Sequence, residues 1–398
     1  MPPALDPSAN RAGRPRVAVF TDYVYRQDGT KVYGERAFQL FVVALRPHVA
    51  RLVLVGRLEP VPGRWHYEVP ADLEFVPLPH YESLMHGRRV LAALGGAVRR
   101  FWRVLDDVEV VWVLGPNPTA LAFALTALAR RRRVVLGVRQ DLPRMIAHRH
   151  PGRRALRAVA WALEAAWRAL ALRCPVVVVG PELARAYRRS RTLVPIAVSL
   201  VSADDLVSPE AALERWNDGE LRVLSVGRLE EEKNPLVLAE VLARLRERDD
   251  RWRLVVCGDG PLADALAARL GELGVAGHAE LRGYVPHAGL RDVYRGTHAL
   301  LHVSRTEGLP QVLFEAFAAG VPVVATAVGG IPAAAGDAAL LVEPGDPGAS
   351  AQQLERLAAD ATLRDRLVRA GAERARAHTL ESEVAKVAAA LSGASAGG

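Results

Sequence analysis

Cysteine is scarce in this chain of 398 residues, and other features that would mark a special class of protein are missing as well. The two cysteines, Cys174 and Cys257, each adjoin a short run of β-branched residues. A disulfide between them and a cysteine-based metal site are therefore both disfavoured. Glycine and proline are scattered between apolar runs without a period, so fibrous and low-complexity classes are excluded. What remains is an ordinary globular composition.

Long uninterrupted apolar runs are also missing. Residues 1–15 are rich in proline and alanine and lack the apolar core of a signal peptide. The best candidate for a membrane span, Val113 to Ala129, is interrupted near its start by glycine, asparagine and two prolines. We expect a cytoplasmic protein without a spanning segment, with a flexible tail over residues 1–15.

Charge is distributed unevenly along the chain. Residues 1–199 carry 31 Lys and Arg against 15 Asp and Glu, a net charge of +16. The chain totals of 52 and 44 leave 21 against 29 for residues 200–398, a net charge of −8. A basic half suits an anionic lipid surface, a phosphorylated acceptor or nucleic acid, although an ordinary arginine-rich surface explains it equally well.

Apolar runs alternate with amphipathic helical stretches in two series, which predicts an α/β protein with two parallel sheets. We expect an N-terminal domain over 16–199, a linker over 200–219, a C-terminal domain over 220–375, and a final helix and tail over 376–398. The predicted strands of the first domain are 16–21, 51–55, 109–114, 133–138 and 176–179. Those of the second are 221–226, 253–257, 279–282, 299–303, 322–325 and 339–342. The pattern indicates two Rossmann-like domains that face each other across a cleft.

Two cations follow the first strand of the second series. Gly227 allows a turn, Arg228 and Lys233 lie five residues apart, and Pro235 suits the start of a helix. An arginine fork and a lysine point charge at one strand end suit a diphosphate. The alternative is a surface loop in which the cations pair with their own neighbours, residues 230–232.

Two carboxylates lie around the start of a later helix. Glu307 is placed at a strand-to-helix turn and Glu315 two helical turns further on. The free N–H groups expected over 308–311 form an anion site. Carboxylates beside an anion site are consistent only if they accept hydrogen bonds from hydroxyls, which a sugar and a ribose supply. Beyond them, Gly329 and Gly330 end the next strand and would allow a ligand to approach the backbone closely.

The segments GRLEEEKNP and SRTEGLPQVLFEAFAAGVPVVATAVGG, with CGDGPLADAL and LRGYVP between them, resemble the retaining glycosyltransferases of family 4. Glu307 and Glu315, with seven residues between them, resemble that family's E-x7-E signature. The likeness covers roughly residues 221–345 and implies the GT-B fold. It implies a nucleotide-diphosphate sugar as co-substrate, with no cofactor and no metal, and no Asp-x-Asp pair occurs in the chain.

The resemblance also implies a role for each matching residue. Arg228 and Lys233, beside Gly227, would hold the donor diphosphate and stabilise the leaving group. Glu307 would bind the transferred sugar, and together with the two cations it is the expected catalytic set. Glu315 would bind the ribose hydroxyls. The backbone of Gly308, Leu309 and Pro310 would lie along the sugar and diphosphate, and Gly283 and Tyr284 beside the base.

The N-terminal half departs from the family pattern. A Gly-Gly loop is usual after the first strand, and here only Gly29 and Gly34 are available. A histidine is common at the end of a middle strand, where this chain has Arg139, Gln140 and Asp141. Asp141 is a candidate for orienting an acceptor hydroxyl. These three residues, Gly29, Gly34 and Asp141, are our candidate contacts in the first domain.

The partners expected are a nucleotide-sugar donor and an unidentified acceptor that is anionic or membrane-associated. Basic amphipathic stretches over 84–105 and 153–173 suit the surface of an anionic membrane, or simply pack on the core under a solvated rim. Nucleic acid is not expected, because no aromatic-rich recognition motif accompanies the basic half. Two alternatives to a transferase stay open: an epimerase or hydrolase of nucleotide sugars on the same fold, and a non-catalytic protein that binds nucleotide sugars.

Overall fold

The computed structural model describes residues 13–80, 87–150, 152–217 and 219–393. Residues 1–12 of the predicted tail and residues 84–86 of the first basic stretch lie outside the described residues. The chain divides into two compact units, the first formed by residues 1–196 with 383–398 and the second by residues 197–382. The predicted boundary at residue 199 lies three residues beyond this division.

The first unit is built on a nine-stranded sheet. Seven strands run parallel in the order β5-β3-β1-β6-β7-β8-β9, and β2 and β4 add an antiparallel extension beside the end of β1. The strands are β1 (Arg16–Asp28), β2 (Lys31–Gly34), β3 (Arg51–Leu58), β4 (Tyr67–Glu68), β5 (Glu74–Leu78), β6 (Val110–Gly115), β7 (Arg133–Val138), β8 (Pro175–Val179) and β9 (Thr192–Ile196).

Six helices accompany this sheet: α1 (Phe38–Val43), α2 (Gly87–Asp107), α3 (Pro118–Ala129), α4 (Leu142–Arg149), α5 (Arg154–Ala171) and α6 (Pro181–Ala186). Their starts follow local chemistry. The Asn117 side chain caps α3 by accepting from the Ala120 N–H at 2.8 Å, and Pro118 occupies the first turn, where no N–H is needed. Aromatic side chains of α2 and α3 pack together, with the rings of Phe101 and Phe123 stacked at 4.0 Å.

The sheet of the first unit differs from the expected one in its extent. The first strand runs on to Asp28 because its second half pairs with β2 in a hairpin, which a search for buried runs does not detect. Two further strands, β5 and β9, were missed because they contain Pro77 and Pro195. Each lies at an edge of the parallel sheet, where a missing N–H is tolerated.

The second unit contains a six-stranded parallel sheet in the order β12-β11-β10-β13-β14-β15. Its strands are β10 (Leu221–Val226), β11 (Trp252–Cys257), β12 (Ala279–Leu281), β13 (Ala299–His302), β14 (Val323–Thr326) and β15 (Ala339–Val342). Leu254 and Val256 join one hydrophobic core, and Val255 and Cys257 join the other. The sheet is therefore covered by helices on both faces, as in a doubly wound α/β fold.

The helices of the second unit are α7 (Pro209–Glu214), α8 (Val237–Arg246), α9 (Ala263–Glu272), α10 (His287–Arg295), α11 (Gln311–Ala318), α12 (Ile331–Ala335), α13 (Pro347–Ala359), α14 (Ala361–Ala377) and α15 (Leu380–Ser392). The last helix begins in the second unit and counts with the first from Glu383 onward. None of the described helices is both long enough and apolar enough to cross a membrane.

The described part of the segment expected as a linker, residues 200–217 and 219, is folded. It contains α7, whose N-terminus is capped by Ser208, and it counts with the second unit. The Arg215 guanidinium donates to the carbonyls of Thr297 and Ala319 at 3.0 and 2.9 Å. Serine and aspartate mark helix caps as often as flexible connections, which is why composition alone predicted a linker here.

Candidate functional site

The expected donor residues gather at the carboxyl ends of neighbouring strands in the second unit. β10 lies between β11 and β13, so the loops after these three strands meet at one edge of the sheet. Backbone hydrogen bonds tie the loops together, from Gly227 N to Cys257 O at 3.0 Å and from Arg305 N to Glu232 O at 2.9 Å. A small cavity at this edge is lined by residues that include Arg228, Lys233, His302 and Ser304.

Arg228 pairs with glutamates of its own loop. Its guanidinium contacts Glu230 and lies 2.9 Å from Glu232 Oε1, and 43% of its side chain is exposed. In this structure Arg228 therefore pairs within its own loop, as the alternative interpretation of the sequence predicted. Exposed pairs of this kind are weak, so a diphosphate could take the place of either glutamate at small cost.

Lys233 pairs instead with the first of the two predicted carboxylates. Its ammonium contacts Glu307 Oε1, across 74 residues of sequence. The same oxygen lies 2.9 Å from His302 Nε2 and accepts from the Ser304 hydroxyl at 2.9 Å. Because a carboxylate oxygen only accepts, His302 Nε2 must carry its proton here.

The second oxygen of Glu307, Oε2, accepts no hydrogen bond from the described residues, and it is not sealed from solvent. Burial raises the pKa of this carboxyl, but the hydrogen bond from His302 and the charge of Lys233 outweigh it and hold the pKa at about 2. Glu307 is thus ionised at neutral pH, with one oxygen fixed and the other available to a hydroxyl.

Glu315, in α11, is held by two side chains of α10. Its Oε2 accepts from the Tyr294 hydroxyl at 3.0 Å, and its Oε1 lies 3.6 Å from His287 Nε2. The hydrogen bond to Glu315 raises the pKa of His287, against the opposing effect of burial. The carboxylate is largely buried and oriented before any ligand arrives.

Gly329 and Gly330 were predicted to let a ligand approach the backbone closely, and in the structure they make close contact with another loop of the protein. A Cβ at Gly329 would overlap the backbone of Glu307, and one at Gly330 would overlap the carbonyl of Gly308. The close backbone approach expected for a ligand is made by the Glu307 loop itself. These glycines therefore position the loop that leads through Leu309 and Pro310 into α11.

The residues expected beside the base follow β12. Gly283 has a positive φ of 62°, which favours glycine, and its carbonyl accepts from Gly258 N at 2.8 Å. Tyr284 is 40% exposed. Their contact with a base stays a prediction.

The three candidates of the first unit are scattered. Gly29 lies in the turn of the β1–β2 hairpin with a φ of 59°, and Gly34 ends β2 where a Cβ would overlap Gln39. Asp141 caps α4 by accepting from Arg144 N at 3.0 Å. Each has a local structural reason, and a role in ligand binding stays a prediction for all three.

The side chains that hold the two glutamates were not among the predicted site residues. Two features of the sequence could have identified His302 as a site residue. It ends an apolar run that forms a buried strand, and it lies five residues before Glu307. His287 and Tyr294 reach Glu315 from another helix, and no sequence spacing connects them. Within the described residues, no three His, Cys, Asp or Glu side chains are grouped so as to hold a metal ion.

A larger cavity of about 330 Å³ lies elsewhere in the second unit, near the amino ends of β10 and β11. Its arginines are already paired: Arg222 and Arg253 with Glu220, and Arg282 with Glu280. Ligands of open parallel sheets collect at the opposite, carboxyl end. The edge that carries Glu307 is therefore the candidate donor site, although the cavity there is smaller.

Comparison with known proteins bears on the family of the second unit. Residues 210–374 match the family model described as glycosyl transferases group 1. Most of the second unit is therefore similar to the group 1 glycosyltransferases. This confirms the resemblance to the family 4 glycosyltransferases.

Relatives and solved structures extend the finding. A D-inositol 3-phosphate glycosyltransferase of Corynebacterium efficiens is 38% identical over 162 residues, which cover 39% of this chain and 38% of that relative. The gpi3 subunit of phosphatidylinositol N-acetylglucosaminyltransferase of Schizosaccharomyces pombe is 34% identical over 28% of this chain and 25% of its own length. The match thus spans well under two thirds of these curated relatives.

Two solved structures show the fold of the whole chain. Anabaena HepE in complex with UDP matches with a TM-score of 0.70 and 16% identity, covering 95% of this chain and 100% of the other. The glycosyltransferase WaaG matches with a TM-score of 0.65 and 16% identity, with the same coverage. The GT-B fold, with its two parallel-sheet domains, is confirmed.

Proposed function

We propose that this group 1 protein is an enzyme that transfers a sugar from a nucleotide-diphosphate sugar to an acceptor hydroxyl, with retention of anomeric configuration. The observation that carries the proposal is the Lys233 and Glu307 pair. One carboxylate oxygen is fixed by Lys233, His302 and Ser304, and the other is left to accept from a sugar hydroxyl. A cation beside an ionised, preoriented carboxylate suits a donor with a diphosphate next to a sugar.

Each residue then has a part in the transfer. Lys233 has two further N–H groups to offer a diphosphate oxygen, and Arg228 can exchange its loop glutamates for the same group. As the bond from the anomeric carbon to the diphosphate breaks, these cations offset the charge that develops on the leaving group. The acceptor oxygen forms its bond to the anomeric carbon from the side that the diphosphate leaves, and its proton passes to the leaving diphosphate, which gives retention. Glu315 binds the ribose.

The relatives support a particular donor and acceptor class. HepE has been crystallised with UDP and with UDP-glucose, so we propose a UDP-sugar as donor. The curated relatives are named for inositol 3-phosphate and phosphatidylinositol. Together with the net charge of +16 over residues 1–199, these names support an acceptor that carries an anionic group.

A donor panel tests the proposed function. We expect UDP and one UDP-sugar to raise the Tm of the protein, while GDP and dTDP raise it less, and that UDP-sugar to be consumed only when an acceptor is present. Proton NMR of the product gives the anomeric configuration. Consumption without acceptor would instead identify a hydrolase, and interconversion of the sugar an epimerase. Binding without turnover, over a broad acceptor panel, would leave a nucleotide-sugar-binding protein.

We further propose that the protein works at the surface of an anionic membrane, on its cytoplasmic side. Trp161 of α5 and Trp102 of α2 are 60% and 43% exposed. Both lie on helices that carry several arginines, and Arg130 stacks over Trp102 at 4.6 Å. Exposed tryptophan among arginines suits the boundary between headgroups and acyl chains.

Sedimentation with phosphatidylglycerol vesicles tests this surface. We expect most of the protein to pellet at about 20 mM salt and clearly less at about 300 mM, because the Debye length shortens from roughly 20 Å to under 6 Å. Trp161→Ala should pellet less than the parent at both salts. Trp252→Phe, buried in the other unit, serves as a control. Equal recovery in the supernatant with and without vesicles at low salt would contradict the proposal.

A further inference from the structure

Arg139 is a cation to which the described residues offer no polar partner, at the carboxyl end of a central strand. It directly follows β7, which lies between β6 and β8. Its guanidinium carbon lies 4.0 Å from the ring centre of Phe38 and 5.6 Å from that of Tyr23. Its Nε is buried and makes no hydrogen bond, and no described residue forms an ion pair with it.

Arg139 differs in this respect from Arg57 of the same unit. Arg57, itself largely buried, pairs with Asp22 at 3.0 Å. Burial lowers the pKa of the Arg139 guanidinium to about 10, with no opposing effect from a carboxylate of the described residues. Arg139 is half-buried, and its buried Nε has no hydrogen-bond partner, which costs free energy that a bound anion would offset.

The chemistry of the guanidinium limits what that partner can be. Its terminal N–H groups form a planar fork, which suits two oxygens of one anion. The location also suits a ligand, because substrates of parallel sheets bind beyond the carboxyl ends of the strands.

We propose that Arg139 binds a phosphate group of the acceptor. The inference rests on the proposed transferase function and names the acceptor class. A phosphate monoester is favoured over a carboxylate because it carries a second negative charge. The net positive charge of residues 1–199 therefore attracts it more strongly. The phosphate could belong to a soluble molecule or to a lipid headgroup, and both offer the same oxygens to Arg139.

Thermal denaturation with inorganic phosphate and with glycerol 3-phosphate tests the proposal. We expect either ligand, at about ten times its Kd, to raise the Tm of the parent by roughly 2–4 °C. Arg139→Met keeps much of the side-chain volume and should lose this rise, while Arg139→Lys should keep part of it. Because the readout is the shift on adding ligand, a lower starting Tm of a variant does not affect it.

Two control variants show whether the response to phosphate is specific to Arg139. Arg188→Met deletes an exposed charge from the same unit and should respond to phosphate as the parent does. Lys31→Ala removes an exposed cation of the first unit, which pairs with Glu68, and should also keep the phosphate response. If phosphate failed to stabilise the parent, or stabilised Arg139→Met equally, the proposal would be overturned.

Vesicles containing phosphatidic acid distinguish the two sources of phosphate. If pelleting is weaker for Arg139→Met than for Arg188→Met, the phosphate is that of a lipid. Equal pelleting, with the phosphate-induced shift still dependent on Arg139, indicates a soluble acceptor. Binding of UDP is measured separately for every variant. If UDP did not bind to the parent protein, the proposed donor would be wrong, whereas the result for Arg139 could still be interpreted.

Discussion

Replacing Lys233 with alanine is expected to lower kcat/KM for sugar transfer by roughly a hundredfold. The loss of a charge-assisted hydrogen bond to the diphosphate costs about 1.5–3 kcal/mol, and each 1.4 kcal/mol is a factor of about ten in rate. The variant also leaves Glu307 with His302 and Ser304 alone. Steady-state kinetics with the UDP-sugar found in the donor panel measures the effect.

The pH dependence gives a second readout of the same change. In the parent, Glu307 has a pKa of about 2 and stays ionised through the whole range in which the protein can be assayed. Without Lys233 one of the influences that lower this pKa is gone, so the pKa rises. Protonation would then abolish the acceptor capacity of Glu307 at a higher pH. The acid limb of activity should therefore move upward in Lys233→Ala.

Arg228→Ala and Lys31→Ala complete this experiment. Arg228 is exposed and rests on its own loop glutamates, so its removal should cost closer to tenfold. Lys31 lies in the first unit in an exposed pair with Glu68, and its loss should leave transfer within twofold of the parent. Circular dichroism should show all three variants folded. Parental rates in both Lys233→Ala and Arg228→Ala would show that the diphosphate binds elsewhere.

Removal of Glu307 and of Glu315 should affect different kinetic constants. Glu315 is held inside the unit by Tyr294 and His287, away from Lys233's partners, and we assign it to the ribose. Such a contact is equal in the ground and transition states. Glu315→Ala should thus raise KM, and the Kd for UDP, by about 10- to 100-fold, with kcat within about threefold of the parent.

Glu307 is assigned to the transferred sugar, near the reacting carbon. Glu307→Ala should lower kcat by about 100-fold or more, by an amount that depends on the sugar. UDP should still bind, because Lys233 loses its carboxylate partner and is free to meet the diphosphate. Calorimetry with UDP separates the two variants, and Glu373→Ala, an exposed glutamate of the same unit, is the control. Weak UDP binding in Glu307→Ala with parental binding in Glu315→Ala would reverse the assignments.

Much of the fold could be predicted from the sequence, because buried parallel strands are continuous apolar runs. The bounds of β7, β10 and β15 agree with the predicted ones to the residue. The strands that were missed are short, antiparallel or interrupted by proline, as in β5 and β9. Their stability comes from pairing with a neighbour more than from local composition, so a pattern search does not find them.

The site was predictable to a similar depth. The sequence predicted that Arg228, Lys233 and Glu307 lie at strand ends. The prediction was possible because turns and helix starts depend on local features such as glycine, proline and charge. The pairing of Arg228 with residues 230–232 was the alternative that the sequence offered, but the contact between Lys233 and Glu307 was not predictable. Both loops meet because β10 and β13 are adjacent in the sheet although β11 and β12 separate them in sequence.

The sequence by itself therefore determined the fold class, the resemblance to a glycosyltransferase family and the strand ends at which the predicted donor residues lie, because periodicity and spacing act between near neighbours. Only the tertiary structure decided how each charge is used. It paired Lys233 with Glu307, set His302 on one oxygen of that carboxylate, and left Arg139 packed on Phe38 without an acidic partner among the described residues. The physical reason is that hydrogen bonds and ion pairs depend on distances of a few ångströms, which the order of strands in the sheet fixes and sequence separation does not.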